Sequence, residues 1–104
     1  MLKLYDMQKN YAPLLANLGL IYMKKENYKG AKEYMVTVIS LDQNNIFYIY
    51  NLAVILDKLS DFKNAAIFYL KLLNMAANLK DVSKKIPICK VEARLKFIKL
   101  HSTD

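Results

Sequence analysis

Leu14 to Asn45 reads LLANLGLIYMKKENYKGAKEYMVTVISLDQNN. Its apolar residues form two runs with a helical rhythm, split by a short polar stretch. Leu14, Leu15, Leu18, Ile21 and Tyr22 follow the i, i+3, i+4, i+7 spacing of a helix that buries one stripe. Lys24 to Asn27 interrupt it, and Asn27 stands where an N-cap would start a second helix near Tyr28. Ala31, Tyr34, Met35, Val38, Ile39 and Leu41 continue the stripe until the turn formers Asp42-Gln43-Asn44-Asn45 end it. The stretch reads as a pair of antiparallel helices.

That pair recurs. Leu18 returns as Leu52, Tyr28 as Phe62 and Ala31 as Ala65, each 34 residues on. The phase also links Leu4, Val38 and Leu72, and Met7, Leu41 and Met75. In the second unit Ile49, Leu52, Ala53 and Leu56 line the first helix. Ser60-Asp61 makes the turn, with Asp61 as N-cap, and Ala65, Ala66, Phe68, Tyr69, Leu72, Leu73 and Met75 line the second helix. Gly19 matches Ala53 and Ala31 matches Ala65, small residues where helices must approach closely. Gly inside a helix costs about 1 kcal/mol relative to Ala, so Gly19 calls for a packing explanation.

Spacing, small residues and aromatics together resemble the tetratricopeptide repeat, through Leu15, Leu18, Gly19, Tyr22, Tyr28, Ala31, Val38, Leu41 and Asp42 of the first unit. The second unit is similar through Leu52, Ala53, Leu56, Phe62, Ala65, Tyr69 and Leu72. It departs at Ala77, where proline is usual, and at Leu56, where the first unit has tyrosine. The resemblance implies an all-α fold, a short right-handed solenoid of antiparallel helix pairs within a single domain. Residues 12–45 and 46–79 are its two units. Residues 1–11 read as part of a preceding helix, an N-terminal half-repeat. Residues 80–104 read as a linker, a C-terminal capping helix and a tail. Pro87 suits the start of that helix, and Ile88, Val91, Leu95 and Ile98 share its apolar stripe.

The resemblance also places a binding surface. First helices of such units line a concave face, which here takes Pro13, Ala16, Asn17, Leu20, Met23 and Lys24 from the first unit. The second supplies Phe47, Tyr50, Asn51, Val54, Asp57 and Lys58. Leu20, Met23, Phe47, Tyr50 and Val54 would form an apolar patch with charges at its edge, a pattern that marks interaction sites. Burial of the same side chains by neighbouring helices is the competing reading. The expected partner is another protein, as a peptide or amphipathic helix laid in the groove. Domains of this type that grip a chaperone's C-terminal carboxylate place Lys and Asn where this chain has Ala16 and Leu20, and a Lys where it has Asp81. That ligand class is not expected.

Composition narrows the alternatives. With 55% hydrophobic residues and only two Gly and two Pro, the chain has material for a helical core and little for sheet turns. Short stacks hold few repeats, so the half-repeat is expected to pack on a second copy or on an upstream region. Cys89 is the only cysteine and allows no internal disulfide. His101 is the only histidine and has no evident metal partner. No glycine-rich phosphate loop, HExxH or GxSxG occurs, so no catalytic residue, cofactor or metal site is assigned and no enzyme is expected. No apolar run is long enough to span a membrane. Residues 1–10 lack the apolar core of a signal peptide, and a cytoplasmic location is expected.

The net charge is +7, and residues 80–104 hold seven Lys and Arg against three Asp and Glu. The alternative function is therefore a basic helical module binding RNA or an anionic surface through Lys84, Lys85, Lys90, Arg94 and Lys96. Phe97 is the only aromatic among them, and clustered charge ordinarily solvates a helix. A protein-interaction scaffold or adaptor is the leading expectation.

Overall fold

A computed structural model describes residues 4–78 and 86–101 of the chain, with side chains over 12–78 and 86–100. It contains α1 (Leu4–Lys24), α2 (Tyr28–Leu41), α3 (Ile46–Lys58), α4 (Phe62–Ala76) and α5 (Ile88–His101). Among the described residues there is no strand. Each helix packs on the next in chain order, except that residues 79–85 between α4 and α5 lie outside the described part. The result is a solenoid of helix pairs measuring 53 × 32 × 24 Å.

The two hairpins close in the same way. Lys24 is followed by Glu26 at φ 60°, and Lys58 by Ser60 at φ 64°, both left-handed and neither glycine. Glu26 N–H donates to the Met23 carbonyl and Asn27 N–H to that of Tyr22. Ser60 and Asp61 repeat this on Asp57 and Leu56, all four bonds lying between 2.9 and 3.0 Å. This is the paired C-terminal bond pattern that satisfies the last carbonyls of a helix. Asn27 then caps α2 as expected, its Oδ1 accepting from Gly30 N–H at 3.1 Å.

Two caps differ from the sequence reading. Asp61 holds the N-cap position of α4, but its carboxylate accepts from Asn64 Nδ2 at 2.9 Å and makes no bond to the helix backbone. Asn45, read as a turn former, caps α3 by accepting from Phe47 N–H at 3.0 Å and Tyr48 N–H at 3.4 Å.

The core follows the small residues. Ala31, Met35 and Val38 of α2 and Ala65, Tyr69 and Leu72 of α4 are buried. α3 lies between them and is apolar nearly all round, with Ile46, Ile49, Leu52, Ala53, Ile55 and Leu56 buried. Full burial of side chains such as Ile49, Ile55 and Leu72 contributes about 1.5–3 kcal/mol each. Gly19 meets Met35, whose Cε would lie 3.1 Å from an added Cβ, so the packing explanation for this glycine holds.

Helix α1 departs from expectation twice. It runs unbroken from Leu4 through Pro13 to Lys24, so the backbone of residues 4–11 extends the first helix of the first unit and does not form a separate preceding one. Proline removes one N–H bond and kinks a helix, but nothing at residues 9–12 supplies a reversing turn. The side chains of residues 1–11, including Leu4 and Met7, lie outside the described part. The buried stripe is also rotated. Ala12, Ala16 and Gly19 face inward, while Leu14 and Ile21 are 53% and 46% exposed. Close approach to α2 selects small residues over large ones, which turns the leucine edge outward.

The last helix caps the stack. Val91, Leu95 and Ile98 are buried, Ile88 is half-buried, and the Pro87 carbonyl accepts the first helical bond from Val91. Ile86, just before it, is also buried, although the sequence pattern begins the core at Ile88.

Candidate interaction cleft

The expected site begins with the residues of α3 that point away from α2. Tyr50, Val54, Asp57 and Lys58 succeed one another at helical spacing along one face. Helix α5 lies across that face. The two helices, with the start of α4, enclose an open cleft of about 550 Å³. Tyr50, Val54, Asp57 and Lys58 form one wall; Ser60 and Phe62 lie at the hairpin turn and Tyr69 midway along α4; Pro87, Lys90, Val91 and Arg94 form the other wall.

At its centre is a closed polar unit. Arg94 reaches Asp57 with Nε at 2.6 Å from Oδ2 and Nη2 at 2.7 Å from Oδ1. The Tyr69 hydroxyl donates to Oδ2 of the same carboxylate at 3.0 Å. Asp57 is thus fully engaged, its side chain only 11% exposed, while that of Arg94 is 39% exposed. Burial, with the Asp57 carboxylate beside it, pushes the Tyr69 phenol well above its ordinary value. The Arg94 guanidinium also lies 4.8 Å from the Phe97 ring and 5.9 Å from that of Phe62, within cation–π range. Three elements of the fold are fastened here: α3 through Asp57, α4 through Tyr69 and α5 through Arg94.

Against this geometry the ten expected partner-binding residues divide. Tyr50, Val54, Asp57 and Lys58 come together in the cleft; Asn17, Leu20, Met23, Lys24, Phe47 and Asn51 do not line it. Asp57, expected as an edge charge, is an internal tie. Leu20, Met23, Tyr50 and Val54 are partly buried against the core, so neighbouring helices cover much of the expected patch. Ala16, also placed on the concave face, is buried. The α5 wall was not foreseen, nor was Tyr69 as a ligand of Asp57. The only sequence signal for either was a lone arginine three residues from Val91, which the charge pattern assigned elsewhere.

Arg94 was one of five basic residues assigned to an anionic surface. The structure commits it to Asp57. Lys84 and Lys85 lie outside the described residues, and Lys90 and Lys96 are exposed on separate faces of α5. Among the described residues no group of three His, Cys, Asp or Glu side chains is placed to hold a metal ion. Cys89 is exposed, and no described helix is long and apolar enough to cross a membrane.

Comparison with known families agrees with the hairpin geometry. The tetratricopeptide repeat model matches residues 12–45 and again residues 48–79. Both hairpin turns and all of α2 and α4 fall within those spans, α1 and α3 begin before them, and α5 lies beyond. Curated proteins provide no match to the chain.

Proposed function

This chain belongs to the tetratricopeptide repeat family, and we propose that it is a scaffold or adaptor that holds a segment of a partner protein in the cleft between α3 and α5. Repeats of this family are generally protein–protein interaction modules. The observation that carries the more specific reading is the lining of the cleft. Val54, Phe62 and Pro87 offer apolar surface, Tyr50 an amphipathic ring, and Lys58 and Lys90 charge at the edge. Its volume lies within the range that accepts a few side chains of a ligand. Apolar surface rimmed by charge is the composition of a recognition site.

A photo-reactive phenylalanine analogue at Tyr50, compared with one at Lys29 on the exposed side of α2, tests this in the full chain. The expected result is cross-linking of a defined partner segment from position 50 and none from position 29. Equal adducts from both positions, or adducts from position 29 alone, would count against the cleft.

Self-association is a separate proposal and rests on α1. Leu14 and Ile21 lie on one exposed edge of that helix, and a second copy laid along it would cover both. Sedimentation showing a folded monomer at high concentration removes this proposal without affecting the cleft.

A further inference from the structure

We infer that the segment held between α3 and α5 is acidic and carries at least one bulky apolar side chain; this rests on the cleft reading above and specifies its ligand. Charge is the first ground. Lys58, Lys90 and Arg94 line the cleft, and the only carboxylate among the described lining residues is Asp57. Arg94 and Asp57 neutralise each other through two short bonds, which leaves Lys58 on one wall and Lys90 on the other as the cations that face a ligand. Both lysines are exposed, and they flank the apolar surface from opposite sides. A carboxylate-bearing segment lying between the walls could meet either one.

Shape and apolar lining are the second ground. Val54, Phe62 and Pro87 provide apolar surface that a leucine or phenylalanine side chain can cover, and an anionic chain with no apolar group would leave it wet. The same surface disfavours nucleic acid. Lys96 and Lys99 share one face of α5 while Lys90 lies on another, so the basic residues form no single track along the cleft, and the arginine best placed to meet a phosphate is already paired. The chain's net charge of +7 adds general attraction for acidic partners and repulsion of basic ones.

The test uses isotopically labelled full-length protein and a synthetic peptide of about ten residues alternating acidic with leucine or phenylalanine side chains. Three comparison probes are a lysine-for-acid version, a serine-for-apolar version and a short oligouridylate. The expected result is that the acidic apolar peptide shifts the amide signals of residues 54–58 and 90–94. Lys58→Glu with Lys90→Glu should then weaken binding by about tenfold or more, with helical content unchanged, and added salt should weaken it too. Equal binding of the lysine version in the cleft overturns the acidic assignment and leaves the cleft reading standing. Equal binding of the serine version overturns the apolar requirement in the same way. Stronger shifts from oligouridylate overturn a protein ligand. Shifts confined to other helices, or none with any peptide at millimolar concentration, overturn the inference, and cross-linking from position 50 then decides separately whether the cleft holds a partner.

Discussion

Arg94 grips Asp57 by both carboxylate oxygens, at 2.6 and 2.7 Å, across 37 residues of sequence. One end of this pair lies in a repeat helix and the other in the helix that follows the repeats. It joins the cap to the stack within the cleft, so it shapes the site while its charges are already neutralised. A bidentate pair with one well-buried partner is stronger than an ordinary surface ion pair.

A double-mutant cycle on Asp57→Ala and Arg94→Ala, measured by urea unfolding, should give a coupling of about 1–2 kcal/mol. Asp57→Ala should cost more than Arg94→Ala, because it also deprives the Tyr69 hydroxyl of its acceptor. Additive single effects would show that α5 is held by its apolar stripe alone.

High pH should loosen the same junction. Burial and the neighbouring carboxylate raise the Tyr69 pKa above its unfolded value, so the folded state holds this proton more tightly. The stabilisation is fully present below the ordinary tyrosine pKa of about 10 and is lost as pH rises beyond it. Unfolding followed against pH should show stability falling in that range, with a smaller fall in Tyr69→Phe. An identical fall in the variant would assign the effect to other tyrosines.

The two glycines should respond differently to alanine. A Cβ at Gly30 would run into the Tyr22 ring, 2.7 Å from Cε2, and that ring is packed against Tyr34 at 5.2 Å between centroids. Gly30→Ala should destabilise by about 1–3 kcal/mol. At Gly19 the nearest obstacle is the flexible end of Met35, so the gain in helix propensity offsets the crowding. Gly19→Ala should stay within about 1 kcal/mol of the parent. Thermal unfolding of both variants checks the order.

Glu26 and Ser60 should be stabilised by glycine. Each occupies the left-handed position after the first helix of its hairpin, where a side chain costs about 1–2 kcal/mol. Gly regains part of that cost but loses entropy from the unfolded chain, so a net gain of about 0.5–1 kcal/mol is expected at each site. No gain in melting temperature at either position would mean that the turns carry no such strain.

The hairpins were legible in the sequence because their determinants are local. The 34-residue phase, the Asn27 cap and the small residues at Ala31, Ala53 and Ala65 all express helix geometry within one repeat. The rotation of α1 was not legible: Leu14 and Ala16 both fit a helical stripe, and only contact with α2 decides which faces inward. The unbroken course of α1 was hidden by the 34-residue phase, which sets Leu4 and Met7 in register with Val38 and Leu41 of a second helix. Half of the cleft was likewise invisible. Tyr50, Val54, Asp57 and Lys58 follow from the family resemblance, but the opposing wall depends on where α5 docks, and no repeat phase extends to it. Arg94 read as one basic residue among several because its partner stands on another helix.

The central claim is that a partner segment lies between α3 and α5. Amide hydrogen exchange of the full chain, alone and with its cross-linked partner segment, tests it most directly. The account predicts slower exchange in residues 50–58 of α3 and 88–94 of α5, with the outer face of α2 unchanged. Protection that appears on α2 around Lys29 and Val36 while α3 and α5 exchange as before would contradict it.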